Sequence, residues 1–231
     1  RGDVGAMDLE HFAEPRLDAL HALMRAHPLG TLVTHGPNGL DANHLPFLLD
    51  AERDPDAAPY GTLVAHVARA NPVWHEVGDG AAVMVVFQSD AAGYISPNWY
   101  PSKHETHRQV PTWNYQVVHA HGVLRIRDDE RFVRGVVARL TRVHEAGEPR
   151  PWKIGDSAPA YIDGMVKAIV GIEIDIVRLV GKSKLSQNRE ARDREGAAQA
   201  LERGGHIALA AAMRANKPQS SATKEGGEHD E

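Results

Sequence analysis

Residues 94–122 read YISPNWYPSKHETHRQVPTWNYQVVHAHG, a stretch dense in aromatic and polar side chains between two strand-like runs. Trp99, Tyr100, Trp113 and Tyr115 offer flat surfaces that can stack on a ring. Ser96, Lys103, Arg108, Thr112 and Asn114 offer donors for phosphate or for the edge of a heterocycle. That mixture suits a ligand that is part aromatic and part anionic. The other reading, a compact surface loop that only packs over a core, stays open, because long loops are either functional or structural fillers. Pro97, Pro101 and Pro111 each fix their own φ and restrict the preceding residue, so they predict a rigid segment.

Working outward, the flanking sequence reads as sheet. Residues 82–88 form a buried apolar run, and residues 117–126 alternate as a strand does. Upstream, residues 30–34 and 40–49 flank Gly36-Pro37-Asn38-Gly39, whose Asn-Gly pair predicts a hairpin turn because both residues tolerate positive φ. Residues 61–67 predict a further strand. In residues 169–179, Ile172, Ile174 and Ile176 alternate with Glu173 and Asp175, the mark of a strand with one buried face. Helices are predicted after Pro15 (Leu17, Leu20, Leu23, Met24), over residues 71–77 with Asn71 as cap and Pro72 as first residue, and around residues 161–167. Another follows Asp128-Asp129-Glu130, where Phe132, Val133, Val136, Val137, Leu140 and Val143 share a face. Six or seven strands with scattered helices and no strand-helix rhythm predict a mainly β protein, a small antiparallel barrel with peripheral helices.

The chain of 231 residues is 42% hydrophobic and carries a net charge of −5, enough for one main domain and contrary to a protein built chiefly to hold nucleic acid. Cysteine is absent, which excludes disulfides, thiolate metal sites and a cysteine nucleophile, and fits a reducing cytoplasm. No apolar run approaches the roughly 20 residues that span a bilayer, and the first ten residues show no signal-peptide pattern. A cytoplasmic protein without membrane contact is expected, with Met7 read as the natural start. After Gly181 the chain turns helical and locally basic: between Arg178 and Lys217, nine Lys/Arg face four Asp/Glu. Gly204-Gly205 interrupts this segment, and a polar tail from Pro218 is expected to be disordered.

Catalytic motifs fail on spacing. Gly181-Lys182-Ser183 lacks the first glycine of a P-loop, which Ile176 replaces. His104-Glu105-Thr106-His107 spaces its histidines wrongly for a zinc protease, and Pro159 breaks the elbow around Ser157. No metal site is expected. His119 and His121 share a strand face and, with His44 and His66, could line a pocket for a metal, haem or flavin, or could simply be hydrogen-bonded barrel residues. Residues 66–72, HVARANP, place Arg69 beside a helix start, an arrangement that suits an anion.

Together the stretches AHPLGTLVTHGPNGLDANHLPFLLD (26–50), GTLVAHVARANPVW (61–74), residues 94–122, AIVGIEIDIVRLVGK (168–182) and KLSQNR (184–189) resemble the PaiB-type family of FMN-binding negative transcriptional regulators, over residues 7–197. The resemblance implies a split β-barrel of the pyridoxamine-phosphate-oxidase-like flavoprotein type over residues 7–181, to which composition adds a basic helical arm over 182–217 and a tail over 218–231. It further implies a homodimer with FMN at the subunit interface and a transcriptional repressor; the two basic arms could contact DNA phosphates, but no helix-turn-helix is evident, and indirect regulation stays open. An FMN-dependent oxidoreductase on the same scaffold, or a haem-binding relative, are the alternatives. Phosphate contacts are assigned to Arg69, Ser96 and Lys103, and ring contacts to Thr112, Trp113 and Asn114. Asn43, His44 and His66 are expected behind them. Lys184, Gln187, Asn188 and Arg189 are expected to reach across the dimer or close the site, against the plainer reading of a solvated helix cap. Glu190 stands where the family pattern has proline, and nothing beyond Ala197 matches.

Overall fold

The computed structural model describes residues 12–216; the expected start at Met7 and the expected tail over 218–231 lie outside them. The described chain forms two compact units, residues 13–90 with 116–183 and residues 91–115 with 184–216. The sequence reading instead divides the chain at residue 181.

In the larger unit, helix α1 (Leu17–Ala26) precedes the hairpin of β1 (Leu29–Gly36) and β2 (Gly39–Pro46). The turn centres on Pro37 and Asn38, and only Gly39 carries positive φ, at 100°. Proline therefore sets the first turn angle and glycine absorbs the left-handed residue, in place of the Asn-Gly pair read from sequence. Then come β3 (Leu48–Asp50), β4 (Thr62–Ala68), the short α2 (Val73–Glu76) and β5 (Ala82–Gln88). The Oδ1 of Asn71 accepts the Val73 amide at 2.9 Å, as a capping side chain should.

Strand order is β2-β1-β5-β7-β8-β4-β3, where β7 spans Thr112–Arg127 and β8 spans Ile169–Lys184. β2 and β3 stand at opposite ends of this order, yet only Phe47 separates them in the chain. The sheet must therefore curl until its ends meet, which makes a barrel of the split type. Leu32, Val85, Phe87, Val118, Leu124, Ile172 and Ile174 fill it, all at most 1% exposed, and Phe47 packs edge-on against Phe87 with centroids 5.8 Å apart.

β4 is buried on both faces. Leu63, Ala65 and Val67 join the barrel core, while Val64 packs outward on Val136 and Leu140 of α4 (Glu130–Glu145). α4 begins where the Oδ1 of Asp129 accepts the Phe132 amide at 2.7 Å. Its buried stripe runs through Val133, Val136 and Leu140 and stops there. Val143, expected on that face, is 56% exposed. On β8 the outward Glu173 is buried between Arg53 and Arg127, and both guanidinium groups sit over the Phe132 ring. α5 (Pro159–Lys167) leads into β8.

The smaller unit contains β6 (Gly93–Ile95) paired with the start of β7, a 3-10 turn (Pro97–Trp99), α3 (Pro101–Thr106), α6 (Ala191–Arg203) and α7 (Ile207–Ala215). Much of the stretch read as a loop is thus regular structure. Pro97 and Pro101 stand at helix starts, where a missing N–H costs nothing. Ile95, Tyr100, Leu185, Leu201, Leu209 and Met213 form this unit's own core.

The barrel tolerates no side chain at Gly122 on β7. A Cβ there would lie 2.5 Å from the Asp175 carbonyl oxygen and 2.6 Å from Ile174, and a strand backbone cannot swing aside as a side-chain tip can. Gly122→Ala should cost about 2–3 kcal/mol, read as a lower urea midpoint with an unchanged slope. Gly135→Ala, on the open side of α4 with nothing within 4 Å, should be neutral or stabilising by up to about 1 kcal/mol.

Candidate functional site

The smaller unit presents an exposed aromatic pair. Tyr94 on β6 faces Trp113 on β7, with centroids 6.4 Å apart and planes at 71°; they are 47% and 59% exposed. The ladder continues with Ile95 opposite Thr112 and Gly93 opposite Asn114. Alternation therefore turns Trp113 outward and Asn114 inward. Of the four aromatic side chains singled out from sequence, Tyr100 is wholly buried, Trp99 packs against the unit's core and Tyr115 is half-buried, so Trp113 with Tyr94 is the most exposed surface for stacking. Tyr94 is the partner that sequence reasoning overlooked.

In the same unit, the Ser96 hydroxyl accepts the Asn98 amide at 3.3 Å, and Lys103 Nζ donates to Asn98 Oδ1 at 2.9 Å. A neutral amide leaves the ammonium charge uncompensated, which is what an anionic ligand requires. Asn114 is fully buried and donates to Ser186 Oγ at 2.9 Å; Tyr100 OH meets the same oxygen at 3.4 Å. Asn114 thus pins the chain, and the ring contact expected of it is not available in this arrangement.

The KLSQNR stretch supplies most of these fastenings. Ser186 adopts a left-handed φ of 61°, which directs its hydroxyl into the Asn114–Tyr100 pair at the cost of local strain. Gln187 Oε1 accepts the Leu185 amide at 2.8 Å, Arg189 donates to Gln109 at 2.6 Å and lies over the Tyr100 ring, and Lys184 lies over Phe12. Asp193 of α6, 1% exposed, accepts from the Ser102 amide at 2.9 Å and the Ser102 hydroxyl at 2.5 Å. The departure of residues 190–192 from the family pattern leaves this anchor in place. Asp193 gave no signal in sequence, because its partner is ninety-one residues away in the chain.

Three arginines of the basic segment are held by partners within the protein. Arg192 pairs with Glu105 and Glu190, and Arg214 with Glu195 and Glu202. Arg194 donates to the carbonyls of Met213 and Asn216.

In the larger unit, Arg69 does not offer a free fork to phosphate. Its two terminal nitrogens lie 2.9 and 2.6 Å from the Asp128 oxygens, its Nε donates to the Lys167 carbonyl at 2.8 Å, and its guanidinium sits over Trp74. The acid that claims it is fifty-nine residues away, beyond any local pattern. Asn43 accepts from Asn71 at 2.6 Å, which ties β2 to the turn before α2. His44 is exposed on β2 opposite Thr31.

The four histidines do not converge. His44, Thr31, Val86 and His119 lie level across β2, β1, β5 and β7, so two strands separate the outer pair, on the order of 14 Å. His121 contacts Arg178 at 3.0 Å; burial, then the Arg178 and His119 charges, hold its pKa below the usual histidine value. His66 shares the face of β4 that carries Val64, and burial lowers its pKa too, so its ring is neutral near pH 7. Among the described residues no cluster of three or more His, Asp or Glu could hold a metal ion, and no helix is long and apolar enough to cross a membrane.

Removing the Asp193 carboxylate tests the anchoring of the aromatic segment. Asp193→Ala leaves the buried Ser102 amide and hydroxyl without their acceptor, and should cost about 2–3 kcal/mol. Amide hydrogen exchange should rise at residues 102–109, with β5 still protected.

Comparison with known proteins agrees with this architecture. Residues 9–178 match the family model described as a putative FMN-binding domain. An uncharacterized protein of Aspergillus fumigatus is 32% identical over 84% of this chain and 89% of its own length. Protease synthase and sporulation protein PAI 2 of Bacillus subtilis is 28% identical over 80% of this chain and 83% of its own. Among solved structures, the FAD and heme binding protein from Mycobacterium smegmatis superposes with a TM-score of 0.52 at 16% identity, covering 79% of this chain and 78% of that one. The flavocytochrome Anf3 from Azotobacter vinelandii gives 0.51 at 12%, over 74% and 69%. At such identities the structures speak for the fold alone, a split barrel. With three quarters of its length matched to the family model and a PAI 2 relative covering four fifths of it, the chain belongs to the PaiB-type FMN-binding family.

Proposed function

We propose that the protein binds FMN, works as a homodimer and represses transcription in response to the state or occupancy of its flavin. The observation that carries the flavin reading is the exposed Tyr94–Trp113 pair inside a family defined by an FMN-binding domain. A water-exposed tryptophan and tyrosine side by side offer apolar area that a flavin ring would cover. The donor set of the same unit fits the rest of the cofactor, since among the described residues no acid pairs with Lys103, and Ser96 adds a hydroxyl. Thr112 and the backbone around Trp113 supply polar edges. When bound, FMN supplies reversible electron or hydride transfer; the protein's part is to hold the ring and balance the phosphate charge.

The dimer rests on the outer face of β1, β5 and β7. Thr31, Val33, Met84, Val86 and His119 line this face and are only half-buried, and Leu29 at its margin is 63% exposed. A second copy is the occupant that the family resemblance implies, with Asn43 and His44 at the edge of the contact. Direct DNA binding draws less from the structure, because Arg192, Arg194 and Arg214 are spent on internal partners. That pairing favours the second reading, an FMN-dependent oxidoreductase acting on a small substrate.

Protein desalted after incubation with FMN should keep a flavin absorbance, and Trp113→Ala should weaken retention about tenfold without loss of fold; equal retention would remove the ring assignment. A specific, salt-sensitive shift of a promoter fragment supports the repressor, whereas nicotinamide-driven flavin reduction without such a shift supports the oxidoreductase. Sedimentation should show a dimer for the natural sequence and a monomer for Val86→Arg.

A further inference from the structure

The larger unit contains a second cavity with a chemistry unlike that of the aromatic pair. It lies between α4 and α5, has a volume of about 390 Å³, and is walled by Val137, Ala138, Trp152, Ile154, Met165 and Ile169. Trp152 and Met165 are 40% and 50% exposed, large apolar side chains held at an opening instead of being folded away. His66 of β4 also lines the wall, and its Nδ1 is buried without a hydrogen-bond partner. A buried, unpaired ring nitrogen costs free energy, and native structures keep few of them. Arg134, also in the lining, pairs with Glu130 and Asp163, so its guanidinium is already occupied.

We propose that this cavity binds a small uncharged molecule with an aromatic or aliphatic body and a single hydroxyl or similar group, which hydrogen-bonds to His66. The volume falls within the range of small-molecule sites, and apolar walls with one polar contact fix both burial and orientation. An anion is disfavoured because the arginine in the lining, Arg134, is already held by Glu130 and Asp163. The site is separate from the flavin reading and stands or falls without it.

The test uses the full chain, with and without added FMN, and three probes of one shape: 4-ethylphenol, ethylbenzene and 4-ethylbenzoate. Titration followed by NMR should show 4-ethylphenol saturating below about 1 mM, with shifts at the Trp152 indole, the Ile154 and Met165 methyls and the His66 ring. Ethylbenzene should bind about tenfold more weakly, and 4-ethylbenzoate should not bind. Ala138→Phe, which fills the cavity, should abolish the shifts while the barrel resonances stay in place. His66→Leu should bring 4-ethylphenol down to the affinity of ethylbenzene. No shifts in this cavity up to 5 mM would overturn the proposal. Ethylbenzene binding as tightly as 4-ethylphenol would overturn the role of His66, and binding of 4-ethylbenzoate would overturn the selectivity for a neutral ligand. Because the readout is at these side chains, a protein that takes no FMN would still give a clear result.

Discussion

Phe47 is the single residue between two strands that stand at opposite ends of the sheet order, and the rest of the larger unit follows from that connection. Strands so joined cannot be far apart, so the intervening ladders must bend through a full turn. The bend gathers the apolar alternation of β1, β5, β7 and β8 into one interior and leaves their other residues facing out. Phe47 holds its place by burial against Phe87 and by donating its amide to the Pro28 carbonyl at 2.9 Å. Without that anchor the hydrophobic periodicity would still produce strands, but nothing would bring β2 round towards β3.

A different economy governs the smaller unit. Its core is built from alanines and a few large side chains, with Ala197, Ala198 and Ala210 contributing little area each. Polar fastenings compensate. Ser186 with Asn114, and Asp193 with Ser102 and the half-buried Gln109, form two hydrogen-bonded groups, and satisfied buried networks specify a single arrangement even where they add modest net stability. This explains how two aromatic rings can be held at a surface that a flexible loop would let collapse.

Local signals in the sequence served the fold well. The apolar run at residues 82–88 is β5 to the residue, the hairpin lies where its turn residues put it, and the alternating isoleucines are inside the barrel. What misled was chemistry shared by two structures: prolines and aromatics read as a rigid loop, where Pro97 and Pro101 begin helices and Trp113 and Tyr115 lie on a strand. The candidate site was less legible because its outcome depends on partners distant in the chain. Arg69 beside a helix start reads as an anion site until Asp128 is seen to occupy it, and Asn114 reads as a ligand contact until alternation turns it inward. Trp113 was legible from its residue type, a large flat side chain among polar donors, although the sequence reading begins the strand only at residue 117.

The seam where β2 approaches β3 also bears on how the protein behaves at high concentration. β2 is the end strand of the sheet order, and an unpaired strand is a template for another chain. Its sequence, GLDANHLP, places Asp41, Asn43 and His44 in a row and ends on a proline, whereas β3 is only three residues long. Charge, polarity, proline and brevity are the devices by which natural sheets refuse extension. The residues that first attract notice as ligand contacts thus also act as gatekeepers, keeping the split in the barrel from becoming the start of a fibre.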